Sequence, residues 1–475
     1  MKLLNLRYVL DKEDILLLLP SIAMSVLISY GFYFFIWIAF VPLIYMALKK
    51  DYRKMFLVSL VYGIITSTMF FSWVYNIKLN YDAVLYTIII LIFTAYFMLF
   101  LTSVSFLSKK IKSMYVVLLP PVVWIIILFA YSLLPIEIYW MDFSIFQPDT
   151  APLIWYLGSY GITFIVLLFN STVAHLFIKR DKRVMLFGIF IFIIVATSII
   201  YSNYSQIPQN GGKVKVALLQ GNFPYEWEWR QENAFGTILD TYLNMTLQAA
   251  KEKPYIIIWP EYALPDDITR NAKIFTKLQK TAQAANATLI IGSISYIGGT
   301  GKYEDTAFVL KPDGSLDSYS SVKPFFLDGE VVRGNSTSTI TQNDRKFGII
   351  ICNEESMPYI ARGYTSKGSQ FIVSMSNNQD FGRGRNIISQ FTKLRAAENA
   401  KYVLRATNDG ITQIINPFGK AVYVAEPKKQ KILIGDIYLN DYPTFYTKHG
   451  NTLVYLLVFL SIILVIKKRQ YGNYH

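Results

Sequence analysis

Eight uncharged apolar runs constrain this chain more than any other feature. They lie at residues 15–31, 32–48, 55–75, 84–107, 114–134, 153–178 and 184–201, with the last at 451–466. The 21 residues of 55–75 would make about 32 Å of α-helix, against a hydrocarbon core roughly 30 Å thick. A single run of this kind is compatible with a buried core helix, but eight in one chain are not. The stretch 15–48 is compatible with one long helix, a re-entrant pair or two spans, and Gly31 with the aromatic cluster Phe32-Tyr33-Phe34-Phe35 favours a break. The expected organisation is a multi-pass α-helical membrane domain over 1–201 with seven transmembrane helices, a polar domain over 213–440, and an eighth transmembrane helix at 451–466. No small-residue cleavage site follows the first run, so it reads as a retained span.

The basic residues orient these spans. Lys49, Lys50, Arg53 and Lys54 fall in one connection, Lys109, Lys110 and Lys112 in another, and Lys179, Arg180, Lys182 and Arg183 in a third, while Lys467, Lys468 and Arg469 follow the last run. The connections between them differ: 76–83 has Lys78 as its only basic residue, and 135–152 carries Glu137, Asp142 and Asp149 with no Lys or Arg. The positive-inside rule makes the basic loops and both termini cytoplasmic, and an odd number of spans then leaves the polar domain outside. The net charge of +14 is therefore largely juxtamembrane, which argues against a nucleic-acid partner. One cysteine, Cys352, excludes an intrachain disulfide, and with only His175, His449 and His475 beside it an ordinary His/Cys zinc site is excluded too. No metal or other cofactor is expected.

The polar domain alternates strand and helix. Strand patterns at 213–222, 255–259, 288–297, 346–352, 371–376, 402–408, 411–416 and 431–439 are interleaved with helical patterns at 233–251, 268–285 and 386–400, and Pro312-Asp313-Gly314 marks a hairpin. This is an α/β layered domain, in which functional groups gather at the carboxyl ends of strands. Three residues fall there or on adjoining loops: Glu261 in Trp259-Pro260-Glu261, Lys323 in Ser321-Val322-Lys323-Pro324-Phe325, and Cys352 in Ile351-Cys352-Asn353-Glu354. By composition alone, a cysteine after three isoleucines is more often a small buried apolar residue than a nucleophile, and a lone Glu or Lys in a loop is more often solvated.

Taken in order, these three strings resemble the Glu-Lys-Cys triad of the nitrilase superfamily, and with the hydrophobic spans around them the whole chain resembles the bacterial apolipoprotein N-acyltransferase family. Further matching strings are Gln220-Gly221-Asn222 with Pro224 and Trp229, Gly329-Glu330, Ser376-Asn377 with Phe381-Gly382, Arg395-Ala396-Ala397-Glu398, Leu404-Arg405-Ala406-Thr407-Asn408-Asp409-Gly410, and Asn416-Pro417-Phe418-Gly419. The resemblance implies an αββα nitrilase-like sandwich, with Cys352 as nucleophile, Glu261 as general base and Lys323 as stabiliser of the oxyanion. It implies supporting roles for Glu330 and Glu354 and a place near the substrate for Trp229, Asn353 and Phe325. The implied reaction is ping-pong in the bacterial inner membrane. The thiol takes an acyl chain from a phospholipid and passes it to the N-terminal amine of a diacylglyceryl-cysteine lipoprotein.

These roles make physical sense. A thiol of pKa about 8.5 is only roughly 3% ionised at pH 7, so it needs a base or a cation, and a tetrahedral intermediate needs preorganised positive charge. Each buried methylene is worth about 0.8 kcal/mol, so an acyl chain is better handled at a bilayer than drawn into water. Tyr225, Trp227, Phe325 and Phe326 fit either a lipid route or ordinary interfacial anchors. Three departures from the family pattern stand out: Asn353 where tyrosine is common, Asp380 where tryptophan is usual, and a Lys323–Glu330 interval one residue short. The competing readings are a membrane-tethered amidase, an acyltransferase with a different acceptor, and a non-catalytic lipid-binding scaffold. The intact triad disfavours the last.

Overall fold

The computed structural model describes residues 10–76, 82–111, 113–133, 139–206, 211–224, 234–325, 330–378 and 381–471. They fall into two compact units, one of Met1–Asn203, Gly382–Ile387 and Asn451–His475, the other of Tyr204–Phe381 and Ile388–Gly450.

The first unit is helical: α1 Lys12–Ser29, α2 Val41–Lys49, α3 Tyr52–Phe70, α4 Asp82–Ser108, α5 Leu119–Ser132, α6 Leu153–Ile178 and α7 Lys182–Tyr204, joined by the helix Thr452–Tyr471. Every apolar run is thus at least partly helical, but the runs are not equivalent. Among the described residues, four stretches rather than the eight expected are long and apolar enough to cross a membrane: Ala83–Ser108, Met114–Ser132, Leu153–Ile178 and Lys182–Tyr204. Helices α1 and α3 open on charged turns, Lys12-Glu13-Asp14 and Arg53-Lys54, which shortens their apolar part. The run at 32–48 is not one continuous helix. Gly31, at φ 99°, ends the preceding segment, and a 3-10 turn over Tyr33–Trp37 precedes the nine residues of α2, about 14 Å of helix.

That break leaves backbone groups to be satisfied in an apolar interior, and α6 supplies the partner. Asn170 Nδ2 donates to the Ile36 carbonyl at 3.0 Å and the Val166 carbonyl at 2.9 Å, while its Oδ1 accepts from the Phe40 N–H at 3.0 Å. At the α1 start, Lys50 lies 2.8 Å from Glu13 and Lys54 lies 2.7 Å from Asp14, so part of this basic cluster is neutralised within the unit. Lys109 Nζ donates to the carbonyls of Leu48 and Lys49 at 3.1 and 2.9 Å, which brings two basic connections to one end of the bundle.

Among the described residues the second unit has thirteen strands: β1 Lys213–Gln220, β2 Ile256–Ile258, β3 Thr288–Tyr296, β4 Tyr303–Leu310, β5 Leu316–Ser320, β6 Val331–Val332, β7 Ile340–Gln342, β8 Arg345–Ile351, β9 Phe371–Ser376, β10 Tyr402–Thr407, β11 Gln413–Ile415, β12 Ala421–Val424 and β13 Lys431–Tyr438. One sheet runs β13-β1-β2-β3-β4-β5, with β6 on β4; the other runs β12-β11-β10-β9-β8-β7. β1–β2–β3 and β8–β9–β10 are parallel, and their near-continuous apolar sequences suit strands covered on both faces. The sheets pack face to face, β1 on β10 and β4 on β8. Ala234–Ala250 and Ala272–Ala285 cover the first sheet through a core that includes Tyr242, Trp259 and Leu278. Pro358–Ser366, a helix with no counterpart in the sequence expectation, packs on β8 and β9. The result is an αββα sandwich of the nitrilase kind.

Candidate active site

Three chain reversals at strand ends build the site, and each places a non-glycine residue in the left-handed region. After β2, Glu261 is followed by Tyr262 at φ 52°; after β8, Cys352 itself sits at φ 48°; after β9, Asn378 sits at φ 61°. Such backbone costs of order 1–3 kcal/mol per residue and persists only where surrounding structure over-determines it. Gly292 on β3 makes room for the first reversal: a Cβ there would meet the Pro260 carbonyl oxygen at 2.0 Å and Glu261 Cα at 2.7 Å.

Glu261 is 4% exposed, and its Oε2 accepts from the Asn377 N–H at 2.6 Å. The Cys352 thiol and the Asp305 carboxyl are neighbours of this carboxyl. Burial, only partly offset by the Asn377 bond and these neighbours, pushes Glu261 up to about 7. The half-buried Cys352 thiol is pushed well above the ordinary thiol range, first by burial and then by the negative charges of Glu261, Asp305 and Glu355. The thiol at rest is therefore protonated. Its proton has a neighbouring acceptor, and the chemistry available is removal of that proton as the sulfur attacks rather than use of a standing thiolate.

Lys323 follows β5 on a loop clamped by the residues that follow the cysteine. Glu354 Oε1 accepts from the N–H groups of Val322 at 2.8 Å and Lys323 at 3.2 Å, and Asn353 Nδ2 donates to the Lys323 carbonyl at 3.3 Å. Glu354 also accepts from the Ile351 N–H at 2.9 Å and from the Tyr319 hydroxyl at 2.8 and 2.9 Å. It is fully buried and pushed up to about 7 by that burial. Glu354 thus ties β8, β5 and the lysine loop together, and Asn353 is part of the same tie.

The structure brings Glu261, Cys352, Asn353, Glu354 and the Lys323 backbone into one cluster. Phe325 is half-buried on the lysine loop. Glu330 is exposed; its carbonyl accepts from the Tyr303 N–H at 3.1 Å where β6 meets β4. Trp229 lies outside the described residues, as do Tyr225, Trp227, Phe326 and Asp380. Three charged residues beyond the expected set, Glu355, Arg405 and Asp305, are buried at the centre. Glu355 receives the Arg405 guanidinium on both oxygens, at 2.8 and 3.1 Å, and the hydroxyls of Ser374 and Ser376 at 2.5 and 2.7 Å. An arginine inside the otherwise apolar strand pattern Tyr402-Val403-Leu404-Arg405 was the available signal, because a charge there demands a buried partner. Asp305 carries no such mark.

Known proteins resemble the two halves in the same order. The polar half matches the carbon-nitrogen hydrolase family over residues 215–445, and the helical half matches the apolipoprotein N-acyltransferase N-terminal domain over residues 20–172. The apolipoprotein N-acyltransferase of Geobacter metallireducens is 24% identical over 89% of this chain and 88% of its own length. That of Neisseria meningitidis serogroup A is 25% identical over 92% and 93%, and that of Wigglesworthia glossinidia brevipalpis 27% over 80% and 81%. With both domains present in one chain and relatives aligned across most of its length, this protein belongs to the apolipoprotein N-acyltransferase family.

Proposed function

We infer that this membrane enzyme is an N-acyltransferase that moves an acyl chain from a membrane phospholipid, through a thioester on Cys352, to the N-terminal amine of a diacylglyceryl-cysteine lipoprotein. The observation that carries the reading is the buried Glu261 carboxyl held by the Asn377 N–H just past β9, the parallel neighbour of the strand β8 that ends at Cys352. In the first half-reaction Glu261 takes the thiol proton as Sγ attacks the ester carbonyl. The tetrahedral oxyanion collapses, the ester C–O bond breaks, and Glu261 returns the proton to the departing lysophospholipid oxygen. In the second half-reaction the free amine attacks the thioester, the C–S bond breaks, and the amine proton passes through Glu261 back to sulfur. Lys323 supplies the positive charge for both oxyanions, on a loop held in register by Glu354 and Asn353.

The apolar spans keep this chemistry at the bilayer, and the basic-loop pattern supports both termini in the cytoplasm and the catalytic unit outside. The meeting of the 48–50 and 109 connections at one end of the bundle is consistent with that orientation. The deciding experiment gives purified protein a phospholipid labelled in its acyl chain, followed by a diacylated lipopeptide with a free N-terminus. Label should appear first on the protein and then on the lipopeptide amine. Release of free fatty acid in place of transfer would make the enzyme a hydrolase, and absence of labelled protein would remove the thioester.

A further inference from the structure

In the helical unit α4 and the C-terminal helix Thr452–Tyr471 each pack on α5, and where α4 ends they leave a cavity of about 260 Å³. Val122 and Ile126 on α5 and Ile462 and Ile466 on the C-terminal helix line it, each pair four residues apart and so on one helical face. Val122 is buried, whereas Ile126 and Ile466 are exposed, so the groove opens outward. The α5 stretch Met114–Ser132 is long and apolar enough to cross a membrane, and an outward opening there meets acyl chains. A gap left empty would forfeit the dispersion contacts of its lining.

The charged residue lining this groove is Lys110, two residues past the end of α4. Its turn is fixed by the Lys110 N–H, which donates to the Leu107 carbonyl at 3.0 Å. Its ammonium stands 4.2 Å from the Phe106 ring centroid and has no carboxylate partner among the described residues. Other lysines near this end are already engaged. Lys50 and Lys54 meet Glu13 and Asp14, and Lys109 donates to the Leu48 and Lys49 carbonyls. The sequence of the C-terminal helix runs on from Ile466 into Lys467-Lys468-Arg469.

We propose that this groove is a binding site for one anionic phospholipid, an acyl chain lying between α5 and the C-terminal helix and the phosphate meeting Lys110. An apolar groove with a cation at its mouth is complementary to such a lipid at both ends, and a basic pocket between transmembrane helices selects negative headgroups. A zwitterionic lipid brings its own cation and gains less from the lysine. The positive-inside rule makes this the cytoplasmic end. The groove lies wholly in the helical unit and the triad in the α/β unit, so the site is separate from the one at which Cys352 would take its acyl donor, and the proposal does not rest on the acyl-transfer reading. The bound lipid acts as packing, filling the gap where the last helix joins the bundle.

The test is native mass spectrometry of the full-length protein in detergent, titrated with phosphatidylglycerol and, separately, with phosphatidylcholine of the same chains. Wild type should retain one phosphatidylglycerol in preference to phosphatidylcholine. Lys110→Gln should weaken phosphatidylglycerol about five-fold, the effect of one basic residue near a lipid surface, and leave phosphatidylcholine as it was. Lys182→Gln removes the same charge from an exposed position in another basic connection and should change neither. Ile462→Trp fills the groove and should expel the lipid while Lys110 remains. Equal retention of the two lipids by wild type, or of neither, overturns the proposal. So does an effect of Lys182→Gln as large as that of Lys110→Gln, which would make the attraction a property of the whole basic surface, and so does undiminished binding by folded Ile462→Trp. If the tryptophan variant does not fold, the two exposed lysines decide alone.

Discussion

Both interiors of this protein bury polar groups, and they use most of them differently. In the helical unit several buried polar side chains complete the backbone's bonds. Asn170 serves the broken segment before α2, Ser198 Oγ donates to the Thr150 carbonyl at 2.6 Å, and Asp142 caps its own turn through the Ser144 N–H at 3.1 Å. In the α/β unit, Glu261, Asp305, Glu354 and Glu355 crowd the strand ends with one buried arginine, Arg405, among them. A low-dielectric interior tolerates a neutral polar group whose bonds are complete, whereas several carboxyls together must share protons and donors. The first arrangement holds a shape. The second holds a proton where it can be moved.

The contrast is broken most severely at the thiol. Cys352→Ala should abolish labelled acyl-enzyme outright, because no second cysteine is available, while leaving the helical unit folded; gel fluorography of protein exposed to labelled phospholipid reads this directly. Glu261→Gln should come close behind, since the amide cannot accept the thiol proton although lipid still binds. In wild type the same base predicts the pH dependence. With Glu261 pushed up to about 7, its ionised form is lost as pH falls through that value. Single-turnover acylation should therefore drop about tenfold per pH unit on the acid side, and a flat profile would show that another group removes the proton.

Stability measurements sharpen the comparison further. Arg405→Met leaves Glu355 buried without its bidentate partner and should cost about 3–5 kcal/mol, whereas removing both charges together in Glu355→Gln/Arg405→Met should recover much of that loss. Asn170→Leu, in the helical unit, leaves only the neutral Ile36 and Phe40 backbone groups unsatisfied and should cost about 1–3 kcal/mol. Thermal unfolding in detergent with intrinsic fluorescence would rank them. A costlier Asn170→Leu would mean that the broken segment, not the charge cluster, is the weaker interior.

What the sequence conveyed differs between the same two regions. Hydropathy located the apolar α-helices of the first unit, because an apolar run must be helical to satisfy its backbone in lipid, but only four of the eight expected spans are long and apolar enough to cross a membrane among the described residues. It missed the 3-10 segment at Tyr33–Trp37, because an aromatic run looks equally apolar whether it is continuous or bent, and the compensating Asn170 lies far away on α6. In the polar unit the strand pattern and the triad strings were legible because each motif is local. Asp305 and the Glu355–Arg405 pair were not, since they become neighbours only when the two sheets fold. Sequence similarity suggested a place for Asn353 near the substrate, whereas the structure shows it bonded to the lysine loop.

That last difference sets up the smallest effect and the finest comparison, between the two side chains that tie the cysteine turn to the lysine loop. Glu354 holds the loop with bonds to two N–H groups and is itself held by Ile351 and Tyr319, so Glu354→Gln replaces an acceptor with a donor facing donors and should be severely destabilising. Asn353 contributes one neutral bond of 3.3 Å from a half-buried position, and Asn353→Ala should cost about 0.5–1 kcal/mol, a two- to five-fold loss of rate. The parameter that changes separates the roles. If Asn353 only steadies Lys323, both half-reactions should lose kcat at unchanged KM, because each passes through an oxyanion that Lys323 must meet. If Asn353 contacts the lipid or the lipopeptide, KM for that one substrate should rise while the other half-reaction is untouched, since a contact made only on binding is absent from the step that does not use it.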